Sequence, residues 1–318
     1  MKSNISVVIP IYKPDKELIC VLNRLMKQSV QPEEIILINT KTELEDTYCV
    51  PEELSLNYKD VFKVVDISQD EFDHGATRHM GMQMAKCDYV LMMTQDAVPK
   101  NKYLLENLKK YFDVEGELTC DTAVAYARQL PRKNCRYIEK YIRSFNYPEK
   151  TQIKKHEDIE TMGIKAFFCS DVCAMYDKKK YLEIGGFPNR TIFNEDAILA
   201  YKALVCEYEV AYVAEAEVIH SHNYSLVKEF QRNFDNGVSH KQFSYVFESV
   251  STESEGIKLV KETAKHLYVN GKMVLIPSLI LRSGIKFVGF QLGKLYNRLP
   301  KQLVMKCTMN KSYWKRGI

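Results

Sequence analysis

The sequence predicts an α/β fold: a Rossmann-like, mostly parallel sheet flanked by helices, with a C-terminal helical appendage. Short apolar or β-branched runs of strand length recur through the first half. Segments with helical apolar spacing separate them, the alternation of a parallel, doubly covered sheet. From Leu226 onward the pattern is mainly helical, so residues 1–225 are expected to form the main domain and 226–318 a basic helical region.

Ile5 to Ile9 is the first strand, and Pro10 turns the chain out of the sheet. Lys16 to Lys27 carries Leu18, Val21, Leu22 and Leu25 at helical spacing. Glu34 to Asn39 and Phe62 to Ile67 are the second and third strands, Ala76 to Ala85 a helix, and Tyr89 to Thr94 the fourth strand. Tyr103 to Tyr111 predicts a helix and Ala123 to Ala127 a strand. Arg128 to Ile164, rich in Pro, Arg, Lys and Tyr, reads as a surface insertion or acceptor-side loop. Phe167 opens an apolar segment ending near Tyr176, and Glu209 to Val213 is a late strand that continues through Ile219. Such sheets bind ligands at the carboxyl ends of their strands.

The last helix carries Leu281, Ile285, Val288, Leu292, Leu295 and Leu299 in a 4-3-4-3-4 rhythm, the seam of a packed helix. Pro277 can open it and Pro300 stop it. Gly284, Gly289 and Gly293 each weaken it by about 1 kcal/mol relative to Ala. Docking on the body, pairing between subunits and shallow insertion in lipid all fit this pattern.

The 318 residues, 46% of them hydrophobic, suffice for a full α/β core. No uninterrupted apolar run reaches about 18 residues, so no membrane-spanning helix is expected. The N-terminus lacks the basic start and long apolar segment of a signal peptide. Nine scattered cysteines without a CxxC pair point to reduced thiols in cytoplasm. The net charge of +4 is unevenly spread: no acidic residue follows Glu262, whereas 11 basic ones do, from Lys265 to Arg316. A basic tail on a mildly acidic body suggests an anionic partner surface, phospholipid head groups or nucleic acid.

Several motifs offer chemistry. Gly185-Gly186-Phe187-Pro188 precedes Asn194-Glu195-Asp196, where Asn194 suits an N-cap and two acids occupy a first helical turn. The helix dipole favours their charged form by roughly 0.3–1 kcal/mol, and an ionised Asp196 could deprotonate an attacking hydroxyl. In Phe72-Asp73-His74-Gly75-Ala76-Thr77-Arg78, Gly75 allows close backbone approach, free amides favour an anion, and Arg78 offers a fork for phosphate. His74 could hydrogen-bond a diphosphate or sugar. Gln95-Asp96-Ala97 leaves the fourth strand with a carboxylate suited to a divalent cation. Alternation places His220 and His222 on one face, where one could ligate metal while the other orients it or faces the core. Tyr12 stands where its ring could stack on a nucleobase.

Together these pieces resemble inverting family-2 glycosyltransferases of the GT-A fold over residues 5–225. More narrowly, His74-Gly75-Ala76-Thr77-Arg78, Arg128-Gln129-Leu130-Pro131, Tyr141-Ile142-Arg143-Ser144-Phe145-Asn146-Tyr147-Pro148, Asn194-Glu195-Asp196 and His220-Ser221-His222-Asn223-Tyr224 resemble the bacterial rhamnosyltransferases of that family. The resemblance implies inverting transfer of L-rhamnose from dTDP-L-rhamnose to a lipid-linked glycan. It makes Asp196 the base, and Asp96, with His222, the holder of Mg2+ or Mn2+ and the diphosphate. Pro10, Tyr12, Asn39, His74, Gly75, Arg78 and Gln95 would surround the nucleotide-sugar donor. Two departures stand out: Gln95 replaces the first acid of the usual Asp-x-Asp, and Asn39 stands where an acid is frequent. A UDP-sugar donor, a nucleotidyltransferase and a non-catalytic scaffold are the rival readings. The basic tail would hold the enzyme peripherally at the cytoplasmic face of the membrane. No nucleic-acid partner is expected, and a homo-oligomer is compatible with the last helix.

Overall fold

In the computed structural model, residues 3–42, 48–112, 121–248, 250 and 252–315 are described, residues 252–254 by backbone alone. Arg316 of the basic tail lies outside the described residues. The first half runs β1 (Ile5–Ile11), α1 (Lys16–Leu25), β2 (Glu34–Lys41), α2 (Glu52–Asn57), β3 (Phe62–Ser68), α3 (His74–Met84), β4 (Tyr89–Met93), β5 (Val98–Pro99) and α4 (Leu104–Lys109). There follow β6 (Thr122–Leu130), α5 (Tyr137–Asn146), β7 (Gln152–Lys154), α6 (Asp158–Met162), β8 (Cys173–Asp177), α7 (Lys178–Glu183), α8 (Glu195–Val205) and β9 (Glu209–Ile219). The remainder is helical: α9 (Leu226–Gln242), α10 (Ser244–Phe247), α11 (Thr252–Val269), α12 (Ile276–Lys294), α13 (Lys301–Cys307) and α14 (Lys311–Lys315).

The strand order is β3-β2-β1-β4-β8-β6-β9-β5, with β7 also on β9. The expected parallel pairing holds across β3, β2, β1 and β4 and between β6 and β9. β8 runs antiparallel to both β4 and β6, so the sheet as a whole is mixed. The reversal decides the site. β1, β2, β3, β4, β6 and β9 all end at one edge, and β8 begins there. Residues 12, 39, 66, 96, 129, 171 and 220 therefore reach the same edge from seven strands.

Apolar side chains alternate between two cores. Val8, Ile36 and Met92 face α3 and α8, while Val7, Ile9, Leu37 and Leu91 face α1 and α4. Each fully buried aliphatic side chain contributes about 1.5–3 kcal/mol, which makes the edge a rigid platform. The expected loop from Arg128 to Ile164 is instead the end of β6 followed by α5, β7 and α6. Its Lys154 is buried, and its Nζ donates to Tyr126 Oη at 2.9 Å and to the carbonyls of Lys165 and Phe168 at 3.2 and 2.7 Å. Burial lowers its pKa to about 7.

The last helix forms, but it packs on a different stripe. Leu281, Val288 and Leu295 are exposed, whereas Gly289 and Gly293 are buried against α9 and Leu279 packs with Ile138 of α5 and Leu267 of α11. A Cβ on Gly293 would lie 2.1 Å from the Phe234 carbonyl, and one on Gly289 2.5 Å from that of Phe230. The glycines are the seam, because they let two backbones touch. Met273–Lys294 is also long and apolar enough to cross a membrane, contrary to the sequence expectation. Polar residues break its apolar run without making the whole segment hydrophilic.

Candidate active site

Asp96 follows β4, and His220 and His222 follow β9. Asp96 Oδ2 lies 3.5 Å from Nε2 of each histidine, and the two Nε2 atoms are 3.0 Å apart. These three ligand atoms fall within 4.8 Å of one another. Burial holds both imidazoles below their ordinary pKa, and the charge of His222 further opposes protonation of His220. Neutral rings leave lone pairs for a cation. His220 Nδ1 is 3.0 Å from Gln129 Oε1. An N–H donated there directs the Nε2 lone pair into the cluster. Arg132 braces the carboxylate: its Nη2 donates to the Asp96 carbonyl at 2.9 Å, and its fork also grips Glu17 of α1. One carboxylate and two imidazoles form a mixed oxygen–nitrogen set, which fits manganese better than oxygen-seeking magnesium.

Asp196 stands in the first turn of α8. Its Oδ1 accepts from its neighbour Ala197 N at 2.8 Å and its Oδ2 from Asp171 N at 3.1 Å. Burial, then the charge of Glu195, raises its pKa to about 6. Desolvation thus outweighs the dipole that would hold the carboxyl low. Asn194 does not cap α8. It adopts a left-handed backbone with φ of 66°, and its Nδ2 donates to Asn236 Oδ1 of α9 at 2.7 Å.

Beneath Asp196 lies a buried charge cluster. Arg78 Nη1 is 3.0 Å from Glu195 Oε1, and its Nε is 3.1 Å from Asp171 Oδ2. Arg78 holds Glu195 low, whereas burial pushes Asp171 well up. The Arg78 guanidinium, expected at the donor phosphates, is occupied by these two carboxylates. Gly75, expected to admit a ligand, admits protein instead: a Cβ there would lie 2.2 Å from the Pro188 carbonyl. The α3 amides expected for an anion are capped, with Gly75 N and Ala76 N both donating to Asp73 Oδ1 at 3.0 Å. His74 lines the cavity, its Nδ1 3.9 Å from Glu195 Oε1.

Pro10 lies in β1, and Tyr12 just beyond it is exposed. Gln95 spends its amide on the Tyr12 backbone, accepting from Tyr12 N at 2.8 Å and donating to Tyr12 O at 3.1 Å. It ties the end of β1 to that of β4 rather than presenting a ligand atom. Asn39 is buried and donates to Asp66 Oδ1 at 2.8 Å, so β3 supplies the acid missing from β2.

One cavity of about 570 Å³ joins Asp96, His220, His222 and Asp196. Further wall comes from Arg143 of α5, from Tyr147 just after it, and from α9, through Arg232, Asn233 and Asn236. The Arg232 guanidinium lies 4.4 Å from the Phe193 ring centre, and among the described residues it forms no ion pair. Sequence reasoning did not single out Asp171 or Arg232. Asp171 sits just before β8 and Arg232 on α9, and neither has a local motif.

A mixed α/β sheet flanked by helices and followed by a helical region is a GT-A fold. The structure resembles the mannosyltransferase PcManGT of Pyrobaculum calidifontis, solved with GDP-Man and Mn2+, at a TM-score of 0.52 and 12% identity over 98% of this chain and 86% of that one. It also resembles S. aureus TarS 1–349 in complex with UDP-GlcNAc, at a TM-score of 0.50 and 15% identity over 94% and 92%. The chain belongs to glycosyl transferase family 2, whose model matches residues 6–185. It is 34% identical to the O-antigen chain rhamnosyltransferase RfbN of Salmonella typhimurium over 98% of this chain and 96% of the relative. With the O-antigen chain rhamnosyltransferase WbaN of Salmonella anatum it shares 35% identity over 91% and 88%.

Proposed function

We propose that this enzyme transfers L-rhamnose from dTDP-L-rhamnose to a hydroxyl of a lipid-linked polysaccharide precursor, with inversion at the anomeric carbon. The observation that carries the chemistry is the convergence of Asp96, His220, His222 and Asp196 on one cavity. The full-length similarity to two O-antigen rhamnosyltransferases supports the sugar. The nucleotide occupies the ends of β1, β2 and β3, beside Tyr12 and the Asn39–Asp66 pair.

Asp196 takes the proton of the acceptor hydroxyl. The acceptor oxygen bonds to the anomeric carbon as the carbon–oxygen bond to the diphosphate breaks, and the electron pair leaves with the diphosphate. Attack opposite the leaving group inverts the centre. At pH 7 a base with a pKa of about 6 is mostly ionised and still basic enough to accept a proton. Asp96, His220 and His222 would hold a divalent cation, which would supply charge neutralisation for the diphosphate. Arg232, which pairs with no carboxylate among the described residues, adds a cation at the same cavity. Arg78 acts one layer below, keeping Glu195 charged beside the base. The enzyme works on the cytoplasmic side of the cell membrane, its basic helical region toward anionic lipid.

Thermal shift with dTDP-rhamnose and UDP-sugars, each with and without manganese, tests the donor. Stabilisation by dTDP-rhamnose that grows with manganese is expected. Preference for a UDP-sugar overturns the donor, and an α-rhamnoside product from a β-linked donor, read by NMR, checks inversion.

A further inference from the structure

The two faces of α12 differ in kind. The inner face presses glycines onto α9 and pairs its cations: Arg282 Nη1 lies 2.6 Å from Glu229 Oε1, and Lys286 Nζ 3.7 Å from Glu139 Oε1. The outer face is largely apolar and open to solvent from Pro277 to Val288, and it continues the exposed Met273 and Val274 in the turn just before the helix. Val274 is 83% exposed, Ile280 63%, Leu281 55%, Phe287 56% and Val288 50%. Every exposed residue from Met273 to Val288 is uncharged. A continuous apolar stripe of this kind marks an interaction surface.

Charge identifies what covers it. Exposed Lys258, Lys261, Lys265 and Lys272 lie on α11 and the turn before α12, and exposed Arg298 and Lys301 lie beyond its end. With no acid after Glu262, two copies meeting through this stripe would bring like charges together. Anionic lipid complements both the stripe and its flanks. The helix does not cross the bilayer, because its other face is locked to α9, which supplies Glu229, Arg232, Asn233 and Asn236 to the cavity wall.

We infer that α12 lies flat in the boundary between head groups and acyl chains of an anionic bilayer, inserting the stripe from Val274 to Val288. Lys286 and Glu139, which bridge α12 and α5, also line the catalytic cavity. The cavity therefore opens beside the membrane surface, where a lipid-linked sugar resides. This deepens the proposed reaction and rests on its reading of a lipid-linked acceptor.

The test is co-sedimentation of the full chain with vesicles of phosphatidylethanolamine and phosphatidylglycerol, against phosphatidylcholine alone. The wild type should partition to the anionic vesicles, and L281E/F287E should lose about tenfold or more of that partitioning. L281S/F287S serves if the glutamates impair folding, as judged by circular dichroism. Transfer to a short water-soluble acceptor should be unchanged in either variant. Equal partitioning of variant and wild type, or none by the wild type, overturns the proposal. So does a dimer that becomes monomeric in the variant with vesicle binding unaltered, which assigns the stripe to a second copy. Stripe-dependent vesicle binding without rhamnosyl transfer would sink the reaction and leave the surface standing.

Discussion

Replacing Glu195 with Gln should move the acid limb of the pH–rate profile downward. Asp196 has a pKa of about 6 against 3.8 for an ordinary aspartate. That rise corresponds to about 3 kcal/mol against ionisation. Burial is the larger cause and Glu195 the second. A base works ionised, so activity is present above its pKa and lost as pH falls through it. The wild type should retain roughly nine-tenths of its activity at pH 7 and roughly one-tenth at pH 5. The Gln variant removes one negative neighbour and leaves Arg78 balanced by Asp171 alone, and both changes favour the ionised base. The limb should fall by about half to one pH unit. The assay is initial-rate kcat/KM for rhamnosyl transfer between pH 4.5 and 8, with manganese and acceptor fixed. A limb that stays in place or rises would refute the electrostatic account of Asp196.

Gly293→Ala should destabilise the protein by about 1–3 kcal/mol, seen as a lower Tm, because its methyl would meet the Phe234 carbonyl. Gly284→Ala has open space at its Cβ and should be neutral or gain up to about 1 kcal/mol. Gln129→Leu removes the acceptor that orients His220 and should weaken manganese binding about 10–100-fold by calorimetric titration. Arg232→Gln should lower kcat/KM for the donor about tenfold to a hundredfold without changing Tm, as measured by steady-state kinetics.

Much of this architecture is legible in the chain because strands betray themselves. The apolar runs of β1, β2 and β4 have no amphipathic alternation, so they had to be covered on both sides. Asp96 and the two histidines fall where such strands end. What escapes sequence reasoning is tertiary. Gly75 and Gly293 look like gaps for ligands or weak points, yet each is filled by another backbone. The Leu281, Val288 and Leu295 rhythm is as regular as a packed seam, but periodicity cannot say which stripe of a helix meets protein. The helix dipole favours the Asp196 carboxylate but is the smaller effect, and burial beside Glu195 is visible only once α8 is in place. Asp171 and Arg232 reach the cavity from a strand start and a distant helix, where no neighbouring residues announce them.

Asp196→Asn measures the central claim most directly, through transfer and donor binding determined on the same preparation. The account predicts that transfer falls by at least about a hundredfold while dTDP-rhamnose binding with manganese stays within a few-fold of wild type. Near-normal transfer by the Asn variant would contradict it.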